Sequence, residues 1–137
     1  MADWADWIGK SETRHDVITP GLLQRFCATI DRPVTDDIPQ GLHWCLGLPD
    51  TPTAQLAEDG HPTKGGFLPP LPLPRRMWAS GSVSFEQPLK LGDEISRVST
   101  VASIEEKSGK SGDLVFIAVD HETRVGDQVA IRERQNI

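Results

Sequence analysis

Apolar positions between Leu22 and Ile30 recur with a helical period: Leu22, Leu23, Phe26, Cys27 and Ile30 fall at i, i+1, i+4, i+5 and i+8, one face of a helix. Thr19 followed by Pro20 supplies the start, a hydroxyl to accept from free N–H groups and a ring whose φ already suits the first turn. Pro33 cannot continue the pattern and disfavours helix at Arg32, so the spacing predicts an end near Asp31, after about 12 residues or roughly 18 Å. Ahead of the helix, Trp7-Ile8 suggests a short edge strand.

Beyond Arg76 the pattern turns to β, with four expected strands: Trp78 to Glu86, Glu94 to Glu106, Leu114 to Arg124 and Gln128 to Arg134. Gly92-Asp93, Gly109-Lys110-Ser111-Gly112 and Gly126-Asp127 supply what tight reversals need, and the short connections imply an antiparallel meander. Leu114 to Val119 is apolar on both alternating faces, which predicts a central strand. One stretch resists: Ile95, Val98, Val101 and Ile104 recur every three residues, nearer helix than strand. Its Val, Ile, Thr and Ser content and its bounding turns still favour a strand, with a bulge to absorb the odd spacing. One helix followed by a long meander predicts an α+β chain, an antiparallel sheet wrapped around one central helix.

Residues 33–76 carry nine of the eleven prolines and little periodicity, apart from a short helix expected around Leu42 to Leu46. An excursion this long inside a compact domain is usually functional, which draws interest to His43, Trp44 and Asp59-Gly60-His61-Pro62. It ends in Phe67-Leu68-Pro69-Pro70-Leu71-Pro72-Leu73-Pro74, a stiff arm that delivers Arg75, Arg76 and Trp78 to the start of a strand. Guanidinium suits phosphate and indole offers a stacking face, so the arm can grip a phosphorylated, partly flat ligand. Such an arm can equally just wrap a core, with its paired arginines as a solvated rim.

Length and charge narrow the reading. At 137 residues one domain, 1–137, is the natural count. With 14 Lys and Arg against 20 Asp and Glu, a net charge of -6 argues against nucleic acid and anionic membrane as partners. No apolar run approaches a membrane span, and Met1-Ala2-Asp3-Trp4 lacks a signal peptide's features, so a soluble cytoplasmic chain is expected. Cys27 and Cys45 show no metal spacing and read as small buried residues; no metal is expected. Gly109-Lys110-Ser111 is not a phosphate loop, because the glycine required five residues earlier is Ile104.

Phe85-Glu86-Gln87-Pro88-Leu89-Lys90-Leu91-Gly92-Asp93-Glu94-Ile95, with the capped helix before it, resembles a hotdog fold of the MaoC-like hydratase and dehydratase kind. Gly60-His61-Pro62, Phe67-Leu68-Pro69-Pro70, Pro74-Arg75-Arg76-Met77-Trp78-Ala79 and Lys107-Ser108-Gly109-Lys110-Ser111-Gly112 are similar to the N-terminal half of double-hotdog hydroxyacyl-thioester dehydratases, mesaconyl-CoA hydratases included. The resemblance implies an acyl-CoA thioester substrate, coenzyme A present only as part of it, and no further cofactor. It also implies that catalysis belongs to a C-terminal half, with an Asp and, five residues on, a His after its central helix. Here the helix end offers Asp31 as a degenerate equivalent, but position 36 is Asp36. The resemblance therefore implies a non-catalytic, substrate-accommodating half, trimmed or separately made, that pairs with a C-terminal hotdog half or with a second copy.

Adding water across a double bond conjugated to a thioester needs a group to activate water, an acid for the α-carbon and donors for the enolate-like oxygen. Of four histidines, His15 is expected to be solvated and His121 to form a surface pair with Asp120 and Glu122. His43 and His61 lie where a site can form. The expected substrate contacts are Arg75, Arg76, Trp78, His43, Trp44 and His61. Two other readings stay open: a thioesterase using Asp31 or Glu58, and an acyl-CoA-binding or scaffolding subunit without turnover.

Overall fold

The computed structural model describes residues 4–63, 65–73, 75–110 and 112–137. Met1-Ala2-Asp3, Pro74 of the arm and Ser111 of the hairpin turn, which the sequence reading used, lie outside the described residues.

Helix α1 spans Pro20–Thr29. The Thr19 hydroxyl accepts from the Leu22 N–H at 3.1 Å, with Pro20 in the first turn. At the other end Asp31 adopts a left-handed φ of 54°, so that the Asp31 N–H reaches Ala28 O at 3.3 Å and the Arg32 N–H reaches Cys27 O at 2.9 Å. That pair of bonds is the Schellman closure, and it gives Asp31 a structural task. Of the expected stripe, Leu23 and Cys27 are buried, Leu22 and Phe26 pack at the margin, and Ile30 stays 46 % exposed.

Strands β1 (Ser11–Val17), β2 (Ser80–Phe85), β3 (Glu94–Gly109), β4 (Gly112–Val125) and β5 (Gln128–Asn136) form one antiparallel sheet in the order β1-β3-β4-β5-β2. The four expected strands are present, and β4 is central. The expected edge strand at Trp7-Ile8 is not: Ala5–Trp7 is a 3₁₀ turn, and the true edge is Ser11–Val17, paired with β3. Its sequence, Ser-Glu-Thr-Arg-His-Asp-Val, carries no apolar alternation, because its inward side chains meet polar groups. Asp16 accepts the Gly47 N–H at 2.9 Å, and Arg14 pairs with Asp50 at 3.2 Å. Cross-strand pairing rather than hydrophobic pattern makes this segment β.

The foreseen bulge accounts for the last step of the three-residue recurrence in β3, while Val98, opposite Glu122, lies on the other face from Ile95 and Val101. The β3–β4 register shifts between Val101 and Ser103, so Val101 opposes Val119 and Ile104 opposes Ile117 on the same face despite odd spacing. That face carries two apolar clusters. One joins Leu23 and Cys27 of α1 to Ile18, Leu42, Leu46, Ile95 and Ile131; the other is Val101, Ile117 and Val119, covered by Phe67, Leu68 and Leu71 of the proline arm. The short helix expected at Leu42 to Leu46 is a 3₁₀ turn, Leu42–Cys45.

Candidate functional site

Between the two clusters, the register places Arg97 and Ser99 of β3, Thr123 and His121 of β4, and Glu133 of β5 on the same covered face. All five are polar: Arg97 and Glu133 find partners in the loop around the 3₁₀ turn, and Ser99 and His121 find each other across the sheet. Arg97 donates to Leu46 O at 2.9 Å and Gly47 O at 2.8 Å, fastening the loop that follows the 3₁₀ turn. Ser99 Oγ lies 2.7 Å from His121 Nδ1. His121 is therefore not the surface pair expected from its neighbours, since Asp120 points to the opposite face and is held bidentately by Arg134 at 2.6 and 2.8 Å. Burial, and then the Arg97 guanidinium, push the His121 pKa below its ordinary value and keep the ring neutral. His15, on β1, is exposed as expected and meets Ser96 Oγ at 3.0 Å.

Glu133 is the residue that sequence reasoning missed. Its carboxylate receives His43 Nε2 at 3.1 Å, Trp44 Nε1 at 2.8 and 3.1 Å, and Gln135 Nε2 at 3.1 Å. Burial alone would raise its pKa, but the bonds from His43, Trp44 and Gln135 outweigh it and hold the group at about 2. Gly41 makes the approach possible, because its φ of 104°, which side chains other than glycine's rarely adopt, starts the 3₁₀ turn. His43 also meets Phe85 edge-on, with centroids 5.6 Å apart. A signal for Glu133 was present: two residues after Ile131, it falls on the apolar face of β5, where a charge calls for a buried partner.

His43 lines a cavity of about 860 Å³ between residues 34–41 and the segment Phe85 to Leu91. Apolar walls from Leu23, Ile38, Phe85, Leu89 and Ile131 are edged by Asp36, Asp37, Glu86 and Lys90. From α1 the lining takes Leu23, near the start of the helix; Asp31, past its other end, is exposed and occupied as the helix cap.

Arg75, Arg76 and Trp78 line a second cavity of about 470 Å³, between the arm and the start of β4 at Asp113 to Ile117. Its wall is apolar, from Leu68, Leu71, Met77, Leu114 and Phe116. The Trp78 indole lies over Gly81, where a β-carbon would come within 2.7 Å of the ring. Arg76 is half-buried and engaged, donating to Pro62 O at 3.1 Å and standing 3.9 Å from Asp59. Arg75 remains exposed. His61 pairs with Asp59 at 3.2 Å, and the His61 backbone N–H, with that ring and Arg76, keeps the Asp59 pKa low. The six expected contacts thus fall into two groups. Arg75, Arg76 and Trp78, with His61 behind Arg76, form one; His43 and Trp44, joined by Glu133, form the other. Glu58 is exposed. Among the described residues no set of three or more His, Cys, Asp or Glu gathers to hold a metal, and no helix is long and apolar enough to cross a membrane.

Five antiparallel strands in this order, packed over one short helix, make the chain a hotdog protein. Solved structures bear this out: the (R)-hydratase from A. caviae aligns with a TM-score of 0.58 at 14 % identity, covering 94 % of this chain and 93 % of its own. HtdX of Mycobacterium tuberculosis aligns at 0.59 and 11 %, over 92 % of this chain and 49 % of its own. Within that fold the chain belongs to the hydroxyacyl-thioester dehydratase type 2 family, which it matches over residues 41–137. It is also 38 % identical over 141 residues to the mesaconyl-C(4)-CoA hydratase of Chloroflexus aurantiacus, an alignment that takes in 99 % of this chain and 50 % of that protein. The chain thus spans about half the length of this relative.

Proposed function

We propose that this chain is the non-catalytic, substrate-accommodating hotdog half of an acyl-CoA hydratase or dehydratase, working in the cytoplasm beside a second hotdog unit that carries the acid and base. The observation that carries the reading is the helix end. A cavity opens along the 34–41 segment that follows the helix, while Asp31 is turned into the helix cap and Asp36 stands where the resemblance calls for a histidine. Hydration takes one proton from water and delivers one to the α-carbon, which calls for a base and an acid side by side. Asp31 is held in the cap and Asp36 has a second carboxylate, Asp37, as its neighbour, so the chemistry falls to the partner unit. Arg75 and Trp78, at the mouth of the arm groove, suit the phosphates and adenine of coenzyme A, which enters as part of the substrate. The half-length match to a mesaconyl-C(4)-CoA hydratase supports the same division of labour and offers an enoyl-CoA of that kind as substrate. The exposed Ile30 at the margin of α1 and the unpaired edge of β2 suit a second hotdog packed alongside, in a dimer or pseudo-dimer. A thioesterase would need Asp31 or Glu58 aimed at a thioester, and both are exposed, the first already used as a cap.

The test is loss of the enoyl-thioester absorbance of mesaconyl-CoA. The chain alone should give no turnover, and addition of a hotdog half bearing Asp and His should restore it. An enzyme-like rate from the chain alone would overturn the reading.

A further inference from the structure

The loop ahead of the proline arm carries a closed turn. The Ala57 N–H reaches His61 O at 2.8 Å, the Gly60 N–H reaches Ala57 O at 3.0 Å, and Gly60 takes a left-handed φ of 80°. Asp59 sits inside this turn and is fixed twice by His61. Its Oδ1 accepts the His61 backbone N–H at 3.0 Å, and its Oδ2 lies 3.2 Å from the ring Nδ1. A carboxylate so held keeps one direction, and that direction is toward Arg76.

The two adjacent arginines are therefore not equivalent. Arg76 Nε stands 3.9 Å from Asp59 Oδ2, the same oxygen that His61 meets, and a terminal nitrogen of Arg76 donates to Pro62 O at 3.1 Å. Arg75 is exposed, and both line the arm groove. On the β4 side of the groove, Asp113 accepts the Ser108 hydroxyl at 2.9 Å. The coenzyme end of an acyl-CoA carries several phosphate charges, which two free guanidiniums would grip more tightly than one. The groove nevertheless ties one of its two to a carboxylate.

We propose that Asp59 restrains Arg76, so that the groove meets the phosphates of a CoA ester through Arg75 alone, and that His61 keeps Asp59 in place. The proposal rests on the acyl-CoA reading above and adds to it a built-in limit on how tightly the coenzyme end is held. Asp59 and His61 act as positioning residues, since neither lines the groove itself.

A double-mutant cycle on the 137-residue chain, read by calorimetric titration with hexanoyl-CoA, tests it. Asp59→Asn keeps an oxygen for the His61 N–H and removes only the charge that faces Arg76. That variant should bind about fivefold tighter, the worth of one further charge-assisted contact in a partly exposed groove, and the gain should shrink in high salt. Arg76→Ala should stay within about twofold of the unaltered chain, and Asp59→Asn should gain nothing when Arg76 is already Ala. His61→Ala should give part of the gain. A merely structural role for Asp59 would loosen the loop and lower the urea midpoint without tightening binding. No gain in Asp59→Asn, or a gain that persists without Arg76, would overturn this inference and leave the acyl-CoA reading standing. Absence of binding by the unaltered chain and by Asp59→Asn alike would overturn both.

Discussion

The two ends of the covered sheet face handle polar groups in opposite ways. At the helix end, charge is taken inside and locked: Glu133, buried in β5, is held by His43, Trp44 and Gln135. At the arm end, Val101, Ile117 and Val119 are sealed by Phe67, Leu68 and Leu71, and the polar handle Arg75 stays in solvent beside a Trp78 that is 56 % exposed. The contrast separates a structural task from an available surface. A locked buried network fixes the loop that carries His43 and Trp44 onto the sheet. An exposed guanidinium and indole on a stiff arm can adjust, which suits a charged, flat and partly mobile moiety.

Removing the lock should have the largest effect. Glu133→Ala leaves the buried His43 and the half-exposed Trp44 without an acceptor and should cost about 1–3 kcal/mol, read as a lower urea midpoint. The same carboxylate predicts an acid limb. Its folded pKa of about 2 lies below the reference 4.5, so its contribution, on the order of 3 kcal/mol, is whole above the reference value and lost as pH falls through about 2. Glu133→Gln should flatten the stability–pH curve in that window; an unchanged acid limb would place the lock elsewhere.

At the arm end a backbone change should act through packing. Gly81→Ala pushes a β-carbon into the Trp78 ring and should cost roughly 1–3 kcal/mol while shifting tryptophan fluorescence. If the spectrum does not move, Trp78 is not seated there. Replacing Arg75 with Ala should weaken CoA-ester binding several-fold, on the order of 1 kcal/mol for one charge-assisted contact. Arg76→Ala should act instead on the order of the loop around Asp59 and Pro62, which it braces. Reversed roles would break the assignment of Arg75 as the free hand.

The smallest effect is also the cleanest check on the helix end. Asp31→Gly, at a left-handed φ of 54°, should stabilise the fold by about 0.5–1 kcal/mol and leave any activity of the assembled enzyme unchanged. A large loss of turnover would return Asp31 to the chemistry.

How far the sequence could be read follows from where each signal was stored. The capped helix, its stop before Pro33, the β3-β4-β5 hairpins and the β3 bulge rest on neighbours within a few positions, and each was legible. The expected meander fails at its first strand, because β2 crosses over to pair with β5 and not with β3, its neighbour along the chain. Segment Ser11–Val17 was not, because its polar inward residues are satisfied by the loop at Gly47 and Asp50, more than 30 positions away. His121 was misjudged for the same reason, its partner being Ser99 across the sheet and not its chain neighbours. Four of the expected contacts gather around the arm, and His43 and Trp44 are drawn off by a glutamate about 90 positions on.

The sequence by itself determined which segments become helix or strand, where the turns fall and which residue types are available for recognition, since these depend on local sterics and apolar periodicity. Only the tertiary structure decided which polar side chains meet: closing the sheet over the helix sets Glu133 against His43 and Trp44. Partners so far apart along the chain are joined by strand register and loop closure, and neither is written in any short stretch of residues.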